Sequence, residues 1–198
     1  ESRDIPGIDG RRISIESASK LWNACGLRIG AIITDNYTFH KKAVYEYTAN
    51  LCANTIGQYI FSSISTLSNS EIRQWHQQQR DYYYLLMTRL RDQLLKNIPG
   101  IIVSKPESAL YLVIDLKNIV DHNFDISMFI EYCATTGKCK IGNSLFTLLL
   151  APMTGIYFNI DHGKTQARIA MVESDKLMRK VPQILPQLIK DYLKLNKT

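Results

Sequence analysis

From Glu71 to Asn97 the chain runs without a glycine or a proline, and Pro99-Gly100 follow directly. Within that run Ile72, Trp75, Tyr82, Leu86, Leu90 and Leu94 recur at helical spacing, which places them along one face. The pattern predicts one long amphipathic helix, stopped by Pro99-Gly100. Ser68-Asn69-Ser70 supplies the polar break and the N-cap before it. At 1.5 Å per residue such a helix reaches roughly 40 Å, enough to run from one domain into another.

The flanks differ in character. Before the helix, Arg12–Ser17 alternates and is rich in isoleucine, and Leu27–Thr34 is apolar and β-branched. Both read as strands. Asp35-Asn36 is a turn or cap, Phe39–Leu51 reads as helix, and so does Thr55–Thr66 with Ile56, Tyr59, Ile60 and Ile64 on a stripe. After the helix, Ile101–Val103, Leu110–Leu116, Lys138–Ile141, a patch near Leu145–Leu150, and Gln166–Val172 read as strands. Asp125–Thr136 reads as a helix capped by Asp125. Ser174–Leu195 closes the chain as helix, with a break or kink expected near Pro182 and Pro186. Strands alternating with helices predict a compact α/β unit.

Composition removes several classes. The net charge is +6, but the basic residues are scattered among Arg11-Arg12, Lys41-Lys42 and a C-terminal stretch from Lys176 to Lys197. None interleaves with aromatics, so nucleic acid is not expected as a partner. Cys25, Cys52, Cys133 and Cys139 form no Cys-x-x-Cys pair and fit neither a zinc site nor a disulfide framework. His40, His76, His122 and His162 are isolated, and no metal is expected. The apolar run Leu145–Met153 is too short to span a bilayer, and Glu1–Arg12 is too polar for a signal peptide. A cytoplasmic protein with reduced thiols is the expectation.

The chemistry concentrates in Ser17-Ala18-Ser19-Lys20, followed by Gly26-Leu27-Arg28-Ile29-Gly30. A lysine amine can form a Schiff base with an aldehyde cofactor. The hydroxyls and the guanidinium are the donors a phosphate group needs. An arbitrary lysine is simply a solvated charge. Here, Gly26 and Gly30 bracket Arg28, and a turn between two strands can bring Lys20 and Arg28 to one site.

These residues resemble the lysine motif of the class I and II pyridoxal-phosphate-dependent aminotransferases, the aspartate aminotransferase-like, fold type I branch. The resemblance implies that Lys20 bonds the cofactor, that Ser17 and Arg28 bind its phosphate, and that Ser19 contributes. Two later segments look similar as well. Lys105-Pro106-Glu107-Ser108-Ala109-Leu110-Tyr111-Leu112 resembles the family's lead-in to a small-domain strand, with Ser108 and Leu110 as departures. Gln166-Ala167-Arg168-Ile169-Ala170 resembles the late strand whose arginine grips the substrate α-carboxylate, which assigns that role to Arg168. A planar guanidinium suits a carboxylate. A surface salt bridge is the alternative.

The resemblance covers the whole chain but only the C-terminal half of the family's length. It implies residues 1–70 as the end of the large cofactor-binding domain, 71–97 as the interdomain helix, and 98–198 as the small α/β domain. It further implies pyridoxal 5'-phosphate as cofactor, an amino acid (aspartate-like or aromatic) and a 2-oxo acid such as 2-oxoglutarate as substrates, and a homodimer. The family's ring-tuning residues precede the lysine, so this stretch alone is expected to transaminate little. Three rivals compete: a lyase or decarboxylase on the same scaffold, a non-catalytic aminotransferase-like half of a regulator, and a plain fragment without a ligand. Asn54-Thr55 fall where family members reach toward a partner subunit, although a helix N-cap explains them as well. Tyr82-Tyr83-Tyr84 is read as packing, Leu145–Met153 as core rather than a site mouth, and Cys25 as unreactive.

Overall fold

Ile13–Ser17 (β1) and Gly30–Thr34 (β2) pair antiparallel, in register from Ile13 opposite Thr34 to Ser17 opposite Gly30. The computed structural model describes residues 5–49, 53–159 and 162–195. The chain divides into two units, Glu1–Arg73 and Gln74–Thr198.

In the first unit, β1 runs directly into a one-turn helix, α1 (Ala18–Leu21), and a 3-10 turn at Cys25–Leu27 leads back to β2. The expected strand from Leu27 is therefore shorter. Arg28 sits in the left-handed region at φ 55°, ψ 40°, and extended pairing starts only after it. An Arg12–Asp35 ion pair at 2.9 Å ties the far end of the ribbon. Asn36 Oδ1 accepts from the Phe39 N–H at 2.8 Å and starts α2 (Tyr37–Ala49). The end of the expected Phe39–Leu51 helix, Cys52 and Lys197 lie outside the described residues. Asn54 caps α3 (Thr55–Ser62), which tightens into a 3-10 turn at Ser63–Thr66 instead of continuing as α-helix.

The long helix is α4 (Asn69–Asn97). Its cap is a reciprocal pair: the Glu71 N–H donates to Ser68 Oγ at 3.3 Å, and the Ser68 N–H donates to Glu71 Oε2 at 2.8 Å. Only its C-terminal half is buried, through Leu86, Met87, Leu90 and Leu94. The expected stripe holds from Leu86 onward. Above it Tyr82 is exposed and Tyr83 packs on the core instead.

The second unit is built on the antiparallel sheet order β3-β4-β8-β7, formed by Ile102–Val103, Tyr111–Asp115, Gln166–Ala170 and Ala151–Pro152 respectively. Alternation along the strands sends Leu112, Ile114, Ala167 and Ile169 into the core. There they join Leu90 and Leu94 of α4, Phe129 of α5 (Ile126–Thr135), and Leu185 and Leu188 of α7 (Val181–Leu195). Each such fully buried side chain is worth about 1.5–3 kcal/mol of transfer free energy. Asp125 caps α5 by accepting from the Ser127 N–H at 2.7 Å, as its position implied. A small hairpin, β5 (Cys139–Ile141) and β6 (Ser144–Phe146), precedes a segment without regular structure. The strand expected over Leu145–Leu150 is thus confined to its start. Leu150 and Met153 are buried but Leu145 and Leu149 are exposed, so the stretch is only partly core.

The final helix breaks at Arg179–Lys180, between α6 (Asp175–Met178) and α7, ahead of both prolines. Pro182 falls in the first turn of α7, where a missing N–H is harmless. Pro186 lies within α7 and leaves the Pro182 carbonyl without its helical donor. The Asn97 side-chain amide fills the gap, donating to Pro182 O at 2.9 Å.

Candidate active site

The first unit carries Ser17, Ser19, Lys20 and Arg28. Ser17 ends β1 in an extended conformation and caps α1, its Oγ accepting from the Ser19 N–H at 3.2 Å. That bond uses a lone pair and leaves the hydroxyl hydrogen free to donate. Lys20 is therefore on a one-turn helix within the connection between the two strands. It is exposed, and its ammonium has no acidic partner among the described residues. Ser19 is half-buried.

Backbone pairing brings the two halves of the motif together. Ser17 lies opposite Gly30, and the Ala18 N–H donates to Ile29 O at 3.0 Å. A Cβ at Gly30 would come within 2.9 Å of the Glu16 carbonyl, so the close pairing beside Ser17 depends on that glycine. Arg28 is delivered from the left-handed end of the 3-10 turn. One of its guanidinium nitrogens donates to Cys25 O at 3.1 Å, which leaves its other N–H donors for a ligand.

Asn54, for which the sequence offered a helix N-cap or a reach toward a partner subunit, and Gly57, which it did not single out, hold this turn. Asn54 is the N-cap, accepting from the Gly57 N–H at 3.2 Å, and its amide also donates to Leu27 O at 3.2 Å. At Gly57 a Cβ would meet Leu27 O at 2.5 Å. A glycine inside a predicted helix costs about 1 kcal/mol against alanine, and that cost was the available signal of a close approach. Trp22, just after α1, meets Phe61 of α3 edge-on at 5.8 Å.

The second unit carries Arg168. It lies on β8 opposite Val113 of β4 and Ala151 of β7, on the sheet face away from the core. Its guanidinium carbon is 5.3 Å from the centre of the Tyr111 ring. Its Nε is buried with no hydrogen-bond partner among the described residues. No carboxylate pairs with it among the described residues.

The same face holds a buried carboxylate. Asp115 accepts from Thr165 Oγ1 at 2.6 Å, from the Gln166 amide at 3.0 Å and from the Lys117 N–H at 3.0 Å. Burial pushes its carboxyl up, but these bonds, with the Lys117 charge, outweigh burial and hold it below its ordinary value. Burial pushes the Cys133 thiol up to about 12. Among the described residues no cluster of three or more His, Cys, Asp or Glu can hold a metal, and no helix is long and apolar enough to cross a membrane.

The profile of the family "Aminotransferase class I and II" matches residues 4–140. The chain belongs to the class I and II aminotransferases. No curated protein sequence matches it. Among solved structures, a Pyrococcus protein designated A1 matches with a TM-score of 0.72 at 15% identity, over 95% of this chain and 44% of that one. N-succinyldiaminopimelate aminotransferase from Mycobacterium tuberculosis matches with a TM-score of 0.71 at 18% identity, over 93% and 44%. A pyridoxal-phosphate-bound C-S lyase from Staphylococcus hominis matches with a TM-score of 0.66 at 19% identity, over 89% and 41%. At these identities the likeness is one of fold, the α/β fold of the fold type I aminotransferases. This aminotransferase-family chain spans less than half the length of those structures. The profile takes in Ser17, Ser19, Lys20 and Arg28, while Arg168 lies beyond its last matched residue.

Proposed function

We propose that the protein acts, at its full encoded length, as a pyridoxal-phosphate-dependent aminotransferase. It would move an amino group between an amino acid, aspartate-like or aromatic, and a 2-oxo acid such as 2-oxoglutarate. One observation supports this reading: in a chain of the aminotransferase family, the β1–β2 pairing sets Ser17 opposite Gly30 and bonds Ala18 to Ile29, so the backbone leading to Lys20 pairs with the backbone leaving Arg28. The donors fit the cofactor. Among the described residues Lys20 offers an unpaired amine, Ser17 a free hydroxyl hydrogen, and Arg28 unused N–H groups.

When bound, pyridoxal phosphate supplies an electrophilic aldehyde and an electron sink. Lys20 would hold it through its amine, and the same amine would serve as the base that moves the proton at the substrate Cα. Ser17, Ser19 and Arg28 donate to the phosphate. Arg168 orients the α-carboxylate with its planar fork. In the same reading residues 1–70 end the large domain, 71–97 link the domains, 98–198 form the small domain, and the protein works as a homodimer.

Borohydride reduction followed by peptide mass spectrometry tests the site. The expected phosphopyridoxyl label is on Lys20 and disappears in Lys20→Ala. A label elsewhere, or one that survives the substitution, overturns the assignment. The C-S lyase shares this fold, so product analysis with aspartate and 2-oxoglutarate separates the two chemistries. Glutamate formation is expected, and release of the amino group as ammonia would favour the lyase.

A further inference from the structure

We propose that Tyr111 is a positioning residue for Arg168, holding the guanidinium by its face so that its edge stays open for a carboxylate. The inference rests on the proposed carboxylate role of Arg168.

A guanidinium has two distinct surfaces. Its flat face stacks on aromatic rings, and its edge donates in-plane hydrogen bonds. A carboxylate partner within the protein would occupy the edge. A ring fixes the group without occupying it. Tyr111 lies opposite Ala170 and diagonal to Arg168 across the β4–β8 pair. The small Ala170 side chain leaves room for the ring to lean over the arginine, where the guanidinium carbon stands 5.3 Å from its centre.

Among the described residues, the polar side chains of Asp115 and Gln166 on this face are already committed. Asp115 is held by Thr165, Gln166 and the Lys117 N–H. Gln166, two residues from Arg168 on the same face, spends its amide on Asp115 and accepts the Tyr157 hydroxyl at 2.6 Å. Val113 and Ala151, directly across from Arg168, offer no polar side chain. The result is a buried Nε with no acceptor among the described residues. A buried donor without a partner is unfavourable, and a carboxylate binding along the fork relieves it.

The test compares Tyr111→Phe, Tyr111→Leu and Arg168→Lys in the cofactor-loaded protein at its full encoded length. Two readouts are used: steady-state kinetics, and calorimetric titration with succinate, which carries carboxylates but no amino or oxo group. Loss of the ring in Tyr111→Leu is expected to raise KM for both substrates and Kd for succinate roughly tenfold, with a smaller change in kcat. Tyr111→Phe keeps the face and is expected to restore both. A Tyr111→Leu protein with unaltered KM and Kd, alongside an Arg168→Lys protein that is impaired, overturns the role of Tyr111 and leaves that of Arg168 standing. No effect from Arg168→Lys overturns both. Tyr111→Phe falling as far as Tyr111→Leu also overturns the inference, because the hydroxyl would then carry the effect. Should Tyr111→Leu melt early, the β-branched Tyr111→Val supplies the same comparison, judged by the same outcomes.

Discussion

Single residues in this chain are set by what their neighbours leave unsatisfied. Arg28 takes a left-handed conformation that strains a non-glycine residue by roughly 1 kcal/mol, and the Cys25 carbonyl and the Asn54 contact to Leu27 hold that turn. Asp115 is the buried counterpart. Its carboxyl is held below the ordinary 3.8, so its folded value lies under its unfolded one. Its stabilisation is therefore present above about pH 4 and is lost as the pH falls through the folded value. Asp115→Asn is expected to destabilise the protein at pH 7 by about 1–3 kcal/mol. The gap in melting temperature between wild type and variant should narrow below pH 4. A gap that is constant with pH would show that the carboxylate charge plays no part.

Elements are joined by repairs of this kind. Pro186 interrupts the hydrogen-bond ladder of α7 without ending the helix, because the Asn97 amide at the end of α4 reaches the stranded Pro182 carbonyl. Asn97→Leu removes the donor while keeping the size, and is expected to cost about 1–2 kcal/mol, read from urea unfolding midpoints. The double variant Asn97→Leu, Pro186→Ala restores the backbone donor and should recover most of the loss. Gly57 shows the same principle in reverse. α3 approaches Leu27 closely because nothing projects there, and that approach supports the turn delivering Arg28. The Thr55–Thr66 helix was legible from its stripe, but its contact with Leu27 was not, since the two lie far apart along the chain.

At the scale of the molecule the two units differ in how much they bury. The second unit holds the contiguous core that includes Leu94, Leu112, Ile114, Phe129, Leu185 and Leu188. In the first unit only Ala18 and Gly57 are buried among the described residues, while Ile15 is 79% exposed and Ile32 and Ile33 are exposed as well. A two-stranded ribbon without a covered face is marginal in water. Hydrogen exchange of residues 1–198 is expected to protect the amides of β4, β8 and α7 most strongly and those of β1 and β2 least. Equal protection of the β1–β2 ribbon and of β4 and β8 would contradict this ranking.

The sequence by itself determined the features that act over a few residues. These are the α4 helix and the N-cap in Ser68-Asn69-Ser70, the Asp125 cap, the Lys20 motif, and with that motif the family. Helical periodicity, capping and motif spacing are all local, so they can be read directly. Only the tertiary structure decided that Arg168 stands on the outer sheet face over Tyr111, that Asn97 serves a carbonyl 85 residues away, and that Gly57 abuts Leu27. Strand register and the fate of an unpaired polar group depend on partners distant in the chain, and no local pattern encodes which of them arrives.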